Sequence, residues 1–151
     1  GALLRAVSVL IHDGGGRMLL QKRQAGKYHS QGLWSNACCS HPRHGEDPLE
    51  AARRRLREEM GIDCALNYLF RTIYREEVGN DLIEHELVHV FLGLHQGPVQ
   101  PNPVEADGYQ WIGLDELRCA MAQTPTAYSP WWRIYMRDHG AAIAAAMKQP
   151  A

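Results

Sequence analysis

The chain has 151 residues, and its 16 lysines and arginines nearly balance its 17 aspartates and glutamates. Hydrophobic residues form 45% and charged residues 22% of the sequence, which is typical of a globular protein and excludes a disordered or fibrous chain. The balanced charge indicates no general attraction for nucleic acid, and no apolar run reaches the roughly 18 residues of a membrane span. We therefore predict one domain over residues 1–151, with neither nucleic acid nor membrane as a partner.

The cysteines and the first residues indicate the compartment. The four cysteines form no CxxC pair and two of them are adjacent, which suits neither a disulfide framework nor a common zinc spacing. The opening residues GALLRAVSVLI lack the charged region and the cleavage site of a signal peptide. We therefore expect a cytoplasmic protein, and a monomer.

The first part of the chain predicts a hairpin followed by a long loop. Residues 6–13 and 18–22 have the pattern of strands, and the three glycines at 14–16 can form the turn between them. Residues 24–45 are rich in Gly, Ser, His and Pro and have no apolar period that would bury a helix face. A loop of this length in a compact domain is more often functional than not.

A helix is predicted to begin after Asp47. This aspartate can cap the helix, Pro48 suits the first helical position, and Glu50 is placed to complete a capping box. Gly61 supplies the stop. Apolar residues recur between these signals at helical spacing: Leu49, Ala52, Leu56 and Met60.

The second half predicts further strands and then helices. Residues 69–77 and 83–94 indicate a second antiparallel pair, joined by a turn over residues 79–81, and residues 109–112 indicate a short strand. Helices are predicted over residues 114–122 and 131–147, the second with a serine cap at Ser129 followed by a proline. This order predicts an α+β fold, an α/β/α sandwich in which a mixed sheet is flanked by helices.

Two groups of carboxylates are candidates for metal binding. Arg55 and Glu59 lie one turn apart on the predicted helix, and a carboxylate there could hold Mg²⁺ against substrate oxygens. An ordinary charged helix with ion pairs is the alternative. Glu84 and Glu86 alternate on a strand and therefore point to one face, where a metal or a raised pKa would relieve their repulsion. The alternative for this pair is an edge strand whose glutamates are solvated.

The long loop carries a thiol and an imidazole close together. Cys39 could be a proton donor or a nucleophile, and His41, two residues later, could be a metal ligand or a base. Lys22, Arg23 and Lys27 form a basic group just before this segment. That group could bind phosphate, and a solvated surface cluster is the equal alternative.

Residues 40–62, SHPRHGEDPLEAARRRLREEMGI, resemble the Nudix box, commonly written Gx5Ex7REUxEExGU with U a bulky aliphatic residue. Two positions depart from the pattern, because Ser40 replaces the first glycine and Arg55 replaces the glutamate that follows the arginine. The missing glutamate weakens the case for ordinary pyrophosphohydrolase activity, in which several helix carboxylates share metal ions. The matching positions are Glu46, Arg54, Leu56, Glu58, Glu59, Gly61 and Ile62.

With these two departures, the sequence resembles the type 1 isopentenyl diphosphate isomerase branch of the Nudix superfamily. Four further segments resemble that branch with matching spacing: residues 36–42, Tyr74, residues 84–86 and residues 129–131. The resemblance extends from about residue 6 to residue 131 and implies the Nudix fold.

For catalysis, the resemblance implies that Cys39 and Glu86 lie on opposite faces of the isoprenoid and exchange protons with it. It further implies that Tyr74 assists Glu86 and that Trp131 faces the reacting carbons. These residue types suit the reaction, since a carbocation needs an aromatic face, and proton exchange needs an acid and a base.

For metals, the resemblance implies that His41, Glu84 and Glu86 are ligands of a divalent cation such as Mn²⁺ or Zn²⁺. Glu59 matches the carboxylate that supports Mg²⁺ at the diphosphate. The family's metal site usually includes two further histidines near the N-terminus, and Leu4 stands at the position of one of them.

For the substrate, the resemblance implies that Arg23, Lys27 and Arg55 contact the diphosphate. The predicted function is therefore isomerisation of isopentenyl diphosphate to dimethylallyl diphosphate, with a small prenyl diphosphate as the ligand. Two alternatives stay open: a diverged Nudix hydrolase of a nucleoside or prenyl diphosphate, and a non-catalytic module that binds diphosphates.

Overall fold

The computed structural model describes residues 3–26, 30–79 and 81–149. Strands precede and follow the first helix, and two helices complete the described chain. The elements, in order, are β1 (Leu4–His12), β2 (Arg17–Arg23), β3 (Trp34–Ser35), β4 (Cys38–Ser40), α1 (Pro48–Met60), β5 (Leu66–Gly79), β6 (Leu82–Leu94), β7 (Ala106–Gly113), α2 (Leu114–Gln123) and α3 (Pro130–Met147).

Strand β1 organises the mixed sheet. It pairs in parallel with β6 from Leu4, opposite Glu86, to His12, opposite Leu94. Strand β4 pairs antiparallel with β1 and places Cys39 opposite Ser8. Strand β2 pairs with β1, β3 and β7, and β5 pairs antiparallel with β6. The alternation of side chains along β1 therefore decides which residues face each helix layer.

The sheet is buried on both faces by helices, which confirms the predicted α/β/α sandwich. Helix α1 packs on one face, and α2 and α3 pack on the other. The α1 face includes Val7, Val9, Ile11, Leu19, Leu56 and Phe91. The opposite face includes Ala6, Leu10, Leu20, Val88, Leu117, Trp132 and Ile143.

The predicted Asp47 cap, the proline in the first turn and the Gly61 stop of α1 are confirmed. The backbone N–H of Leu49 donates to Asp47 Oδ2 at 3.0 Å, and Pro48 occupies the first turn. Gly61 ends the helix with φ of 65°, a left-handed conformation that glycine adopts without steric cost. These caps fix the position of the last helical turn, which carries Glu59.

The structure changes three details of the predicted elements. The loop over residues 24–45 contains the short strands β3 and β4. They were not predicted because two or three residues are too few to show an apolar pattern, and because they pair with distant strands. Strands β5 and β6 are longer than predicted, and Asn80 in the turn between them lies outside the described residues. The predicted cap by the Ser129 side chain is wrong, because this hydroxyl donates instead to Ser35 Oγ at 2.9 Å.

Among the described helices, none combines the length and the apolar character needed to cross a membrane.

Candidate active site

One cavity collects most of the candidate residues. It has a volume of about 170 Å³ and lies where β1, β2, β4, β6, α1 and α3 meet. Side chains from elements far apart in sequence converge there because β4 and β6 flank β1 on opposite sides. The lining residues that matter below are Ser8, Arg23, Cys39, His41, Arg55, Glu59, Glu84, Glu86, Trp131 and Tyr135.

Cys39 lies at the uncharged end of this cavity. Its Sγ is 3.0 Å from Ser8 Oγ and donates to Asn36 Oδ1 at 3.2 Å. Burial raises the pKa of the Cys39 thiol to about 12, although its hydrogen bonds with Ser8 and Asn36 and the nearby Arg23 oppose the shift. The group is therefore a protonated thiol at neutral pH.

Asn36 connects the thiol to the aromatic wall. Its Nδ2 donates to the backbone carbonyls of Val9 and Cys38 at 3.0 and 3.1 Å, which fixes the orientation of the amide. Its Oδ1 then accepts from Trp131 Nε1 at 3.2 Å as well as from Cys39. One buried amide thus sets the positions of the thiol and the indole together.

Trp131 forms part of the cavity wall from the first turn of α3. Its side chain is buried, and it lines the same cavity as Cys39 and Glu86. The guanidinium carbon of Arg23 lies 5.0 Å from the centre of the Trp131 ring, within the range of a cation–π contact. The indole therefore already stabilises one positive charge in this structure.

A histidine and two carboxylates form a compact cluster across the cavity. Ligand atoms of His41, Glu84 and Glu86 all lie within 4.8 Å of one another, and His41 Nε2 is 2.7 Å from Glu86 Oε1. The hydrogen bond to Glu86 raises the pKa of His41, while burial and the neighbouring Glu84 raise the pKa of Glu86. One imidazole and two carboxylates that repel each other are a donor set that fits a divalent cation.

Leu4 borders this cluster. It is the register partner of Glu86 on the neighbouring parallel strand, and it is 53% exposed. A leucine provides no ligand atom, so β1 contributes none at this position.

Tyr74 stands apart from the cavity wall. It is buried on β5 as the register partner of Glu86, and it is not among the residues that line the cavity. Burial first, and then the negative charges of Glu84 and Glu86, raise the pKa of Tyr74. Within the described part of the chain, its buried hydroxyl has no hydrogen-bond partner. A buried hydroxyl without a partner can still donate a hydrogen bond to a nearby acceptor.

Arg55 and Glu59 form an ion pair at the charged end of the cavity. Arg55 Nη2 lies 2.8 Å from Glu59 Oε2, and Gln21 Nε2 donates to the other carboxylate oxygen at 3.0 Å. Arg55 also lies 3.2 Å from Glu105 and donates to Ser40 Oγ. Burial opposes the charge on Arg55, but the surrounding carboxylates outweigh it and raise the pKa of the guanidinium.

The remaining charged residues of the box have a structural role. Arg54 binds both carboxylate oxygens of Glu46, at 2.8 and 2.9 Å. That contact holds the pKa of Glu46 near 2 and ties the loop before α1 to the middle of the helix. Neither residue lines the cavity.

The structure brings together all but two of the candidate site residues. Cys39, His41, Glu84, Glu86, Glu59, Arg23, Arg55 and Trp131 line the cavity, whereas Tyr74 lies beside it. Lys27 lies outside the described residues. The placement does not test the roles of these residues, which stay predictions.

Three polar residues at the site were not predicted from the sequence: Ser8, Asn36 and Tyr135. Ser8 stands in an apolar strand, and only its pairing with β4 places it opposite Cys39. Tyr135 follows Trp131 by one helical turn, and this spacing was the one local signal that both rings share a face.

Comparison with known proteins agrees with this site. A NUDIX domain model matches residues 2–132. "Isopentenyl-diphosphate Delta-isomerase 2" of Aromatoleum aromaticum is 54% identical over 131 residues, covering 87% of this chain and 69% of that protein. "Isopentenyl-diphosphate Delta-isomerase" of Pectobacterium atrosepticum is 47% identical over 134 residues, covering 89% of this chain and 75% of that protein.

Solved structures agree on the fold at lower identity. The crystal structure of a MutT NUDIX hydrolase from Burkholderia pseudomallei has a TM-score of 0.73 at 22% identity and covers 92% of this chain and 99% of that chain. A MutT protein from Methanosarcina mazei Go1 has a TM-score of 0.74 at 19% identity and covers 97% and 96% of the two chains. The predicted family is therefore confirmed: the chain belongs to the NUDIX family, and within it to the isopentenyl-diphosphate Delta-isomerases.

Proposed function

We propose that this chain isomerises isopentenyl diphosphate to dimethylallyl diphosphate. The observation that carries the proposal is one cavity lined by a protonated thiol, a carboxylate and an indole, Cys39, Glu86 and Trp131. These are the groups that moving a double bond requires: one gives a proton, one takes a proton, and one faces the positive charge between the two steps. The similarity to isomerases over most of the chain supports the same function.

The reaction balances with these groups alone. The S–H bond of Cys39 breaks and a C–H bond forms at the terminal alkene carbon, leaving a tertiary carbocation. The carboxylate of Glu86 then takes a proton from the carbon between the cation and the diphosphate-bearing carbon, and that electron pair becomes the new double bond. The substrate gains one proton and loses one, and the enzyme returns to its starting state when Glu86 gives its proton to solvent and the thiolate of Cys39 takes a proton from solvent.

The protonation states support this direction of transfer. Burial raises the pKa of Cys39 to about 12, so the thiol carries its proton before the reaction. His41 Nε2 lies 2.7 Å from Glu86 Oε1, and this hydrogen bond holds the carboxyl group of the proposed proton acceptor in place. Tyr74, beside Glu86, is proposed to assist it.

Trp131 is proposed to stabilise the carbocation. An aromatic face attracts a cation by roughly 0.5 to 1 kcal/mol at exposed sites and by about 2 kcal/mol or more when water is excluded. Trp131 and Tyr135 are both buried walls of the cavity, so they also exclude water that would capture the carbocation. The present contact of Arg23 with the ring supports the ability of this face to hold positive charge.

The diphosphate is proposed to bind at the charged end of the cavity. Arg23 and Arg55 line it, and Arg55 offers the planar donor fork that suits phosphate oxygens. Lys27 is proposed as a third contact. Glu59 would hold Mg²⁺ against the diphosphate, since Mg²⁺ is commonly bound by one or two carboxylates together with phosphates.

His41, Glu84 and Glu86 are proposed to hold a second divalent cation, Mn²⁺ or Zn²⁺. When bound, the cation would neutralise the paired carboxylates and adjust the acidity of Glu86. The four cysteines are free, which supports the further proposal of a cytoplasmic location. A single domain over residues 1–151 and a monomeric state stay predictions.

The test is to incubate the protein with isopentenyl diphosphate, Mg²⁺ and Mn²⁺ and to separate the products by chromatography. We expect dimethylallyl diphosphate and no release of phosphate. Cys39→Ala removes the proton donor and should abolish turnover, whereas Cys119→Ala, which changes an exposed thiol on α2, should retain it. Release of phosphate without dimethylallyl diphosphate would instead indicate a hydrolase, and binding without any product would indicate a non-catalytic module.

A further inference from the structure

A continuous chain of hydrogen bonds runs behind Cys39. The hydroxyl of Tyr135 lies 2.8 Å from Ser8 Oγ, Ser8 Oγ lies 3.0 Å from Cys39 Sγ, and Cys39 Sγ lies 3.2 Å from Asn36 Oδ1. Tyr135, Ser8 and Asn36 are each at most 1% exposed. None of them carries a charge, so these hydrogen bonds cross the interior of the protein without an ion.

The direction of the donors in this chain follows from Asn36. Its amide nitrogen is committed to two backbone carbonyls, so Oδ1 faces Cys39 and can only accept. The single hydrogen of the thiol therefore points to Asn36, and Ser8 must donate its own hydrogen to the sulfur. Because that hydrogen is used, Ser8 accepts from Tyr135, and the order is Tyr135 to Ser8 to Cys39 to Asn36.

We propose that Ser8 and Tyr135 are positioning residues for Cys39: Tyr135 orients the Ser8 hydroxyl, and Ser8 donates to the sulfur before, during and after proton transfer. The inference rests on the proposed function, because it assumes that Cys39 exchanges a proton with the substrate.

The physical reason lies in what happens to the sulfur when its proton leaves. The bond from Cys39 to Asn36 is lost, since both atoms are then acceptors, whereas the bond from Ser8 strengthens because a hydrogen bond to a charged acceptor is stronger. In a buried site, a donor already in place needs no water to supply it. For the transfer, the S–H turns from Asn36 to the substrate, while Ser8 keeps its donated hydrogen bond to the sulfur.

The hydroxyl of Tyr135 has a matched counterpart. Tyr128 is buried in the same apolar core beside α3, and no hydrogen bond in the described chain connects it to Cys39. Tyr135→Phe and Tyr128→Phe therefore remove the same atom from the same core, once inside the hydrogen-bond chain and once outside it.

The experiment measures kcat, KM and the solvent deuterium isotope effect on kcat for Ser8→Ala, Ser8→Thr, Tyr135→Phe, Tyr128→Phe and the double variant Ser8→Ala/Tyr135→Phe. We expect Ser8→Ala to lower kcat roughly 10- to 100-fold, a part of the contribution of an acid–base group. KM should change less than about threefold, because substrate binding is not altered. The isotope effect should rise, Ser8→Thr should recover most of kcat, and Tyr128→Phe should match the wild type.

The double variant tests whether Tyr135 acts through Ser8. If it does, Tyr135→Phe has an effect in the wild type and none in the Ser8→Ala background, so the two effects do not multiply. Effects that multiply, an increase in KM without a loss of kcat, or an unchanged isotope effect would overturn the proposal. Thermal unfolding of each variant identifies any loss of fold, and Tyr135→Phe carries the test if Ser8→Ala does not fold.

The two proposals fail in different ways. A wild-type protein that forms no dimethylallyl diphosphate overturns the proposed function itself. An active wild type whose Ser8 and Tyr135 variants are equally active overturns only the role of the hydrogen-bond chain.

Discussion

The two ends of the cavity differ in how they manage charge. The neutral end consists of Ser8, Asn36, Cys39 and Tyr135, which are joined by hydrogen bonds between uncharged groups. The ionic end consists of His41, Arg55, Glu59, Glu84 and Glu86, which are joined by ion pairs. Trp131 lies on the cavity wall between the neutral end and the ionic end, where its indole N–H donates to Asn36.

This difference separates two tasks that a single environment could not perform well. Buried charges are costly unless they are paired, so the ionic end is suited to hold metal ions and an anionic substrate. The four residues of the neutral end carry no charge themselves, and the nearby Arg23 guanidinium lies over the Trp131 ring. We therefore propose that the substrate receives a proton from a thiol kept neutral by burial and gives a proton to a carboxylate held by its partners.

The largest effect is expected from the ionic end. Glu86→Gln keeps the shape of the side chain but removes the proton acceptor, so turnover should fall by roughly 10² to 10⁴. The control is Glu77→Gln, an exposed position in the same β5–β6 hairpin, which should retain wild-type turnover. Initial rates of dimethylallyl diphosphate formation measure both, and a Glu86→Gln variant with more than about a tenth of wild-type turnover would contradict the assignment.

The neutral end can be tested by the rate at which its thiol, Cys39, is alkylated. Raising the pKa of Cys39 from 9.0 to about 12 leaves about a thousandfold less thiolate at pH 8, and only the thiolate is alkylated. Iodoacetamide should therefore modify the exposed Cys119 first and Cys39 very slowly, with the rate at Cys39 still rising with pH above 10. Peptide mapping by mass spectrometry follows both sites. Equal rates at pH 8 would contradict a neutral, buried thiol.

The Arg55–Glu59 pair should affect both binding and stability. Arg55→Ala removes a proposed diphosphate contact and leaves the buried Glu59 with fewer partners, so KM should rise about 10-fold or more and stability should fall by on the order of 3 kcal/mol. Arg54→Ala, one residue earlier, breaks pairs whose carboxylates, Glu46 and Glu58, are more exposed than Glu59, and it should therefore cost less stability without changing KM. Urea denaturation and steady-state kinetics distinguish them, and equal effects of the two variants would refute the distinction.

A smaller effect is expected at the edge of the metal cluster. Leu4 is the register partner of Glu86, so Leu4→His would add an imidazole beside His41, Glu84 and Glu86. The affinity for Mn²⁺ or Zn²⁺ should increase by about tenfold, on the scale of one contact at a metal site. Calorimetric titration of the metal measures this, with Leu3→His as the control on the same strand end. An unchanged affinity for Leu4→His would place the metal elsewhere.

The sequence was sufficient for the parts of the molecule that local chemistry determines. Helix α1 was predictable because Asp47 and Pro48 act on its first turn and Gly61 acts on its last turn, each within a few residues of its own end of the helix. The pairing of Arg55 with Glu59 followed from helical spacing alone. The family, and with it the fold, could be predicted because the box and the segments around it keep their spacing.

The neutral end was not predictable, since it depends on the register between distant strands. Nothing near Ser8 in the sequence indicates that it contacts a thiol. The contact depends on the register between β1 and β4, which places Ser8 opposite Cys39. Asn36 lay within a recognised segment, but its hydrogen bonds to Val9 and Trp131 join three separate elements. Side-chain hydrogen bonds between such elements leave no periodic pattern.

The most direct test of the account is the conversion of isopentenyl diphosphate in D₂O, followed by NMR. We predict that dimethylallyl diphosphate forms with deuterium in the methyl group that arises from the terminal alkene carbon, and that Cys39→Ala and Glu86→Gln each lower the rate of this incorporation by roughly 10² or more. Release of inorganic phosphate from the substrate, with no deuterium in the recovered C5 diphosphates, would contradict the account.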